Sequence, residues 1–261
     1  MANEVAPRKE TAVTNWEEEL AREAKEVAKL ERPSSSHISL KSGLLSYQGQ
    51  PVPNNKLQVI ILDVAYERNY YTGRYDPLNV RSPVCFAIHN LDALRVPHED
   101  SAERQNDDCD TCQWNKWGTA VRDGQKTRGK ACQERRRFIL IPAHAKENLV
   151  PDNILSAEVA TLKTPVTSVK LWGQYVTTLA SLFQRPPFGV ITEIGAVPNQ
   201  KSQFNLTFKV VDKLENDCLG AIMQKREMSQ AILYKPYDAN DDALDSDEEE
   251  EQPKGKKKFD K

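Results

Sequence analysis

Residues 56–71 read KLQVIILDVAYERNYY, and they mark the point at which the chain turns to β-structure. The stretch is rich in Val, Ile and Tyr, side chains that fit the pleated surface of a sheet. Residues that favour turns bracket it, with Pro51, Pro53, Asn54 and Asn55 before it and Gly73 and Asp76-Pro77 after it. The pattern predicts a long β-strand.

Four further stretches predict additional strands: residues 83–88, 136–143, 188–194 and 203–214. In the last of these, apolar residues alternate with polar ones, as expected for a half-buried antiparallel strand. Between the strands, residues 166–183 carry apolar side chains at helical spacing, namely Val169, Trp172, Val176 and Leu179. One helix among strands, with long irregular insertions, predicts a mainly β fold of the α+β class or a small barrel.

The N-terminal region predicts a separate helical arm. Asn15 can cap a helix whose apolar side chains, Trp16, Leu20, Ala24 and Val27, share one face until about Leu30. Pro33 and a serine run then predict a linker. We therefore expect three parts: an arm and linker over 1–54, a folded domain over 55–237, and a disordered tail over 238–261.

Net charge is divided unevenly along the chain. The total is -2, but residues 33–237 hold 25 Lys and Arg against 20 Asp and Glu, whereas Asp238 to Glu251 holds nine carboxylates and no cation. A basic body suggests a surface for a polyanion, and the acidic tail could compete for that surface or recruit a partner protein. No apolar run could span a bilayer and no export signal is visible, so we expect a cytoplasmic protein with reduced thiols.

Cysteine spacing predicts a structural zinc site. Cys109 and Cys112 have the two-residue separation that lets two thiolates bind one ion, and Cys132 follows at the interval usual between the halves of a zinc knuckle or ribbon. A fourth ligand is required, for which Cys85 is the first candidate and His89 and His98 are alternatives. The loop over 113–131 contains three glycines and few apolar side chains, so it needs such a crosslink.

Two other interpretations of these cysteines stay open. Cys109 and Cys112 could form a redox pair, although such a pair normally follows a strand and opens a helix, whereas Cys109 follows a polar stretch. Alternatively, the spacing is incidental and Cys85 and Cys132 are ordinary core residues. Cys218 is expected to be a single core or surface thiol.

The segment after the CxxC motif combines cations with flat rings. Its cations outnumber its acids by eight to two between residues 116 and 137. Lys and Arg bind phosphates, and unpaired bases stack on aromatic faces, so this composition predicts binding of a single-stranded nucleic acid. The predicted contacts are Tyr70, Tyr71, Trp114, Lys116, Trp117, Arg122, Lys126, Arg128, Lys130, Arg135, Arg136 and Arg137.

Catalytic motifs are missing from the sequence. Residues 124–131 approach the phosphate-binding GxxxxGK pattern, but Ala131 lacks the hydroxyl that would bind magnesium and no apolar strand precedes the loop. The four histidines are scattered. We therefore expect a binding protein and no enzyme.

The order of these motifs resembles a family of single-stranded DNA-binding proteins from tailed bacteriophages. The resemblance lies in YYTGRYDP at 70–77, SPVCFAI at 82–88, the CxxCxWNKWGT run at 109–119, GKAC at 129–132 and the three arginines at 135–137, and it covers roughly residues 55–215. It implies an OB-like barrel with a zinc-stapled insertion at about 85–135. The acidic tail is similar to the tails of phage and bacterial single-strand binders, but it departs from them by ending in lysines.

The sequence as a whole predicts a non-enzymatic, sequence-tolerant single-stranded DNA-binding protein of phage-type replication or recombination, acting in the bacterial cytoplasm if it is phage-encoded. Replication or recombination proteins are the expected partners of the tail. An RNA-binding or transcription-regulating zinc module is the first alternative, and a nuclease or another nucleic-acid enzyme is the second.

Overall fold

The computed structural model describes Trp16, Glu19, Leu20, Arg22 and Glu23, and residues 37–41, 43–73, 81–90, 93–122, 124–143, 149–199 and 203–237. The predicted acidic tail, residues 238–261, lies outside these ranges. The chain divides into two units, Met1–Ser35 and Ser36–Lys261. In the first unit the described residues are helical, as predicted, and Arg22 donates to the Glu19 carboxylate at 2.8 Å.

The second unit is built on antiparallel sheets. Its largest sheet has six strands in the order β11-β10-β4-β8-β9, with β5 paired to β4 as well. A small sheet has the order β1-β2-β3, and β6 and β7 form a two-stranded ribbon. The strands are β1 (Ile38–Lys41), β2 (Leu44–Tyr47), β3 (Gln50–Pro51), β4 (Lys56–Tyr70), β5 (Cys85–His89), β6 (Val121–Arg122), β7 (Gln125–Lys126), β8 (Gln133–Pro142), β9 (Ala160–Lys163), β10 (Val190–Asn199) and β11 (Gln203–Lys213).

Strand β4 organises the large sheet because it is long enough to hold three neighbours. One of its edges pairs with β10 near Lys56 and with β5 near Tyr70. Its other edge pairs with β8 from Val59 to Asn69, and the register shifts between Ile61 and Asp63. The far half of β4, beyond this shift, thus lies between β5 and β8.

Helices cover both faces of the sheet. They are α1 (Pro151–Ser156), α2 (Val169–Thr178, continued by a π-helical turn over Leu179–Phe183), α3 (Asn216–Met228) and α4 (Gln230–Leu233). Trp172 and Leu179 of the α2 segment belong to one apolar core, which includes Phe138 of β8. Residues of α1, α3 and α4 belong to a second core, which includes Ile139 of β8. Neighbouring residues of one strand point to opposite faces, so the two cores lie on opposite sides of the sheet.

The predicted mainly β fold of the α+β class is confirmed, and so are the strands and the helix named from the sequence. The expectation of a single helix among the strands is wrong, because α1 lies between β8 and β9, and α3 and α4 follow the last strand. The buried positions of α3 include Cys218 and Lys225, which interrupt an apolar pattern. Residues 38–51, assigned from the sequence to an arm and linker, form β1 to β3.

The described strands do not close into a barrel, so the OB-like barrel is not confirmed. Within the described ranges, no helix has the length and apolar character that a membrane crossing requires.

Candidate nucleic-acid interface and cysteine cluster

The far half of β4 presents different chemistry on its two faces. Tyr66, Arg68 and Tyr70 alternate with Glu67 and Asn69 and therefore point to the opposite side of the sheet. Across the strand pairs, Tyr66 faces Arg136 of β8 and His89 of β5, and Tyr70 faces Cys85. The face with Tyr66 thus gathers aromatic, basic and thiol side chains, and the face with Glu67 carries a buried polar network.

The four cysteines predicted as metal ligands lie around one cavity. Cys85 begins β5, Cys109 and Cys112 lie in the long loop that follows, and Cys132 directly precedes β8. All four line a cavity of about 10 Å³, which is about the space of one water-sized sphere. Backbone hydrogen bonds hold the loop there, from Cys109 N to Arg95 O at 2.8 Å and from Cys132 N to Trp114 O at 2.9 Å.

The surroundings of the cluster raise the pKa of two of its thiols, Cys109 and Cys132. Burial raises the pKa of Cys109 to about 11 and that of Cys132 to about 12, and the neighbouring cysteines add to both shifts. Arg68 acts in the opposite direction on both thiols. Within the part of the chain that the structure describes, no three His, Cys, Asp or Glu side chains form a metal-binding group. The four thiols therefore line one cavity but do not form a metal-binding group as they are arranged here.

The three candidates for a fourth zinc ligand, Cys85, His89 and His98, lie in different places. Cys85 lines the cavity, whereas the His89 ring stacks on Tyr66 at 5.8 Å and the His98 ring stacks on Phe86 at 5.0 Å. The remaining thiol, Cys218, is buried in α3 and donates to the Leu149 carbonyl at 2.8 Å. Cys85 is thus the candidate that the fold places beside the other three cysteines.

The two tryptophans at the head of the basic loop have different environments. Trp114 stacks on Tyr70 with ring centroids 4.8 Å apart, and its indole nitrogen donates to Gln105 Oε1 at 2.9 Å. Trp117 is 77% exposed, and Lys130 Nζ lies 5.3 Å from its ring centroid. Trp114 is therefore held in the packing of the loop, and Trp117 offers a free aromatic face beside a cation.

The predicted cationic contacts are exposed to very different extents. Lys116, Lys126 and Arg128 are exposed, and Lys130, Arg135, Tyr70 and Tyr71 are partly buried. The amino group of Lys130 also donates to Asn115 Oδ1 at 3.0 Å. The side chain of Arg122 lies outside the described residues. The exposed cations come from the loop that also carries Trp117.

Arg137 was predicted to contact nucleic acid, but its side chain lies in the interior of the fold. Its side chain is 5% exposed and pairs with the fully buried carboxylate of Glu67. It also donates to the carbonyls of Leu233 and Lys235 and lies over the Tyr237 ring at 5.2 Å. Strand alternation turns Arg137 toward the face that this C-terminal segment covers, so its side chain is buried in the interior and is not one of the exposed cations.

A groove next to the cysteine cavity brings together residues that no sequence pattern connected. Its volume is about 280 Å³, and its lining residues are Tyr66, Glu67, Arg68, His89, Arg95, Glu134 and Arg136. Burial lowers the pKa of His89, and the positive charges of Arg68, Arg95 and Arg136 lower it further. The alternation of Tyr66, Arg68 and Tyr70 was a signal for this face, but nothing local pointed to Arg95.

The chain matches no protein-family model, no curated protein and no solved structure. The resemblance to phage single-strand binders therefore rests on the motifs quoted above.

Proposed function

We propose that this protein is a non-enzymatic, sequence-tolerant single-stranded DNA-binding protein of phage-type replication or recombination. The observation that carries the proposal is the exposed indole of Trp117, which lies beside Lys130 on a loop with Lys116, Lys126 and Arg128 exposed. An exposed ring can stack on any unpaired base, and the cations can bind phosphates without reading sequence. Bases in a duplex are already stacked on one another, so this arrangement favours single strands.

A structural zinc ion is the second part of the proposal. Cys85, Cys109, Cys112 and Cys132 would hold it, because four thiolates are a common donor set for structural zinc and the four thiols already share one small cavity. The ion would supply the positive charge that stabilises buried thiolates. Cys109 and Cys132 flank the loop that carries Trp117, so crosslinking them would hold the exposed ring and its cations in place.

We also propose that the small sheet completes an OB-like arrangement. His37, just before β1, forms a parallel bridge with Thr161 of β9. At the other side, the Asn55 side chain donates to Gly43 O at 2.7 Å and to Ala196 O of β10 at 3.1 Å. The segment from His37 to Asn55, which contains β1 to β3, thus contacts both β9 and β10, and we propose that it covers this side of the large sheet in an OB-like manner.

The test is a titration of labelled oligothymidylate, the matching duplex and the matching RNA with wild-type protein, Trp117→Ala and Trp16→Ala. Trp16 is a matched control because it is 70% exposed but precedes Glu17, Glu18 and Glu19. We expect the wild-type protein to prefer the DNA single strand, with binding that weakens as salt increases. Trp117→Ala should lose about 1–3 kcal/mol of binding free energy and Trp16→Ala almost none.

Equal affinity for duplex and single strand would contradict the proposal, as would binding that is independent of salt. A clear preference for RNA would favour an RNA-binding module, and magnesium-dependent loss of the labelled strand would reveal a nuclease.

A further inference from the structure

Three arginines from separate parts of the chain line the groove of about 280 Å³, hereafter the arginine groove. Arg68 comes from β4, Arg136 from β8, and Arg95 from the loop after β5. One wall is aromatic, because the Tyr66 and His89 rings stack at 5.8 Å with 15° between their planes. The Arg136 guanidinium lies over the Tyr66 ring, 4.2 Å from its centroid.

The carboxylates around the groove do not balance these cations. Arg68 and Arg95 share one partner, Asp110, at 2.9 and 3.2 Å. Arg136 pairs with Glu134 at 3.0 Å. Glu67 also lines the groove, but its carboxylate pairs with Arg137 and accepts from the Tyr237 hydroxyl at 2.7 Å. Among the described residues, the three guanidinium groups at the groove therefore pair with two carboxylates, those of Asp110 and Glu134.

One of the arginines also has an unused donor. Arg136 is 8% exposed, and its Nε is buried with no hydrogen-bond partner among the described residues. Its two terminal nitrogens do have partners, the Arg135 carbonyl at 2.9 Å and the Glu134 carboxylate at 3.0 Å. The Glu134 carboxylate pairs with this guanidinium, but a buried N–H donor without an acceptor still costs free energy. The groove thus has the electrostatic character of an anion site.

Geometry identifies the class of anion. Guanidinium groups match the oxygens of phosphate, and three of them on separate elements suit a tetrahedral group better than a planar carboxylate. The volume lies near the lower end of ligand pockets, about 300 Å³, so the groove has space for one nucleotide unit and not for a duplex. Arg68 lines the cysteine cavity as well, so the groove and that cavity share one lining residue.

We propose that the arginine groove binds one phosphate group of a nucleotide through Arg68, Arg95 and Arg136. The identification of the phosphate as part of a DNA strand rests on the proposed function, whereas the phosphate site itself does not. The groove is distinct from the exposed cations of the Trp117 loop, because Arg68 and Arg136 are positioned by two strands of the large sheet and Arg95 by a different part of the chain. It would fix one phosphate in register while the loop contacts the neighbouring bases.

The experiment measures binding of inorganic phosphate, dTMP and oligothymidylate with or without a 5′-phosphate to the full chain by isothermal titration calorimetry. The variants are Arg136→Gln, Arg95→Gln and the control Lys170→Gln, at an exposed position of α2 outside both proposed sites. Arg95 is 41% exposed, so its replacement reports on binding even if Arg136→Gln loosens the fold. We expect both arginine variants to weaken phosphate and dTMP binding by about tenfold or more, and Lys170→Gln to leave it within about twofold.

The oligonucleotide arms identify the source of the phosphate. Tighter binding of the 5′-phosphorylated strand assigns the groove to a strand end, and equal binding assigns it to an internal phosphodiester. Absence of phosphate and dTMP binding, or binding that neither arginine variant weakens, overturns the proposal. If phosphate binds as expected but no oligonucleotide does, the groove stands and the proposed DNA-binding function fails.

Discussion

Replacing Arg137 by Met should test whether this arginine belongs to the interior. The substitution keeps an unbranched apolar side chain but removes a guanidinium that is 5% exposed and paired with the fully buried Glu67. The Glu67 carboxylate would then be buried without its ion partner, and the Leu233 and Lys235 carbonyls would lose a donor. Removing one member of a buried ion pair costs about 3–5 kcal/mol of the free energy of unfolding.

That cost converts into a measurable shift of the melting temperature. In a folded domain of this size, each kcal/mol lowers the midpoint by about 2–4 °C, so Arg137→Met should melt roughly 6–20 °C below the wild-type protein. The double variant Glu67→Gln with Arg137→Met removes both charges and should recover a large part of the loss. Arg128→Met, at an exposed position of the basic loop, is the control and should change the free energy of unfolding by less than about 0.5 kcal/mol.

The assays are thermal and urea unfolding followed by circular dichroism, together with oligothymidylate binding well below the melting temperature. Binding by Arg137→Met should stay within about twofold of the wild type. Unchanged stability with clearly weaker DNA binding would contradict a role of Arg137 in the interior. Arg137 would then be a nucleic-acid contact, as its position in an arginine run suggests.

Three other predictions concern the thiols, a histidine and the tail. Cys109→Ser should reduce the zinc content from about one ion per chain to near zero and speed proteolysis of the loop over 113–131; wild-type protein without metal and with five freely titrating thiols would contradict the zinc proposal. Because burial and the nearby arginines lower the pKa of His89 below its usual 6.5, the unfolded state binds the proton more readily, and the free energy of unfolding should fall as pH drops below about 6.5. Unfolding at several pH values checks this, and His89→Asn should flatten that slope; an identical slope in both proteins would exclude His89 as its source. Deleting residues 238–251, which removes nine carboxylates, should tighten single-strand binding at low salt and less at high salt, whereas unchanged affinity at low salt would remove the tail as a competitor.

Local sequence patterns were enough to predict several of the regular elements. The apolar and aromatic residues of β4, the alternation around Phe204 and the helical spacing around Trp172 each depend on neighbours a few positions away, and all three elements are present. Cysteine spacing likewise grouped Cys109, Cys112 and Cys132. Such patterns could be interpreted without the fold because a strand or a helix sets its own period.

Long-range packing sets which side chains face solvent and which converge. Three consecutive arginines look equivalent in sequence, yet Arg136 lies over Tyr66 on one face of β8, whereas Arg137 is buried on the other face, where Tyr237, far along the chain, covers it. Cys85 reaches the other cysteines through its pairing opposite Tyr70, and the arginine groove exists because β4, β8 and a loop meet at one place. The physical reason is that alternation assigns a residue to one of two faces, whereas the segments that cover each face come from distant parts of the chain.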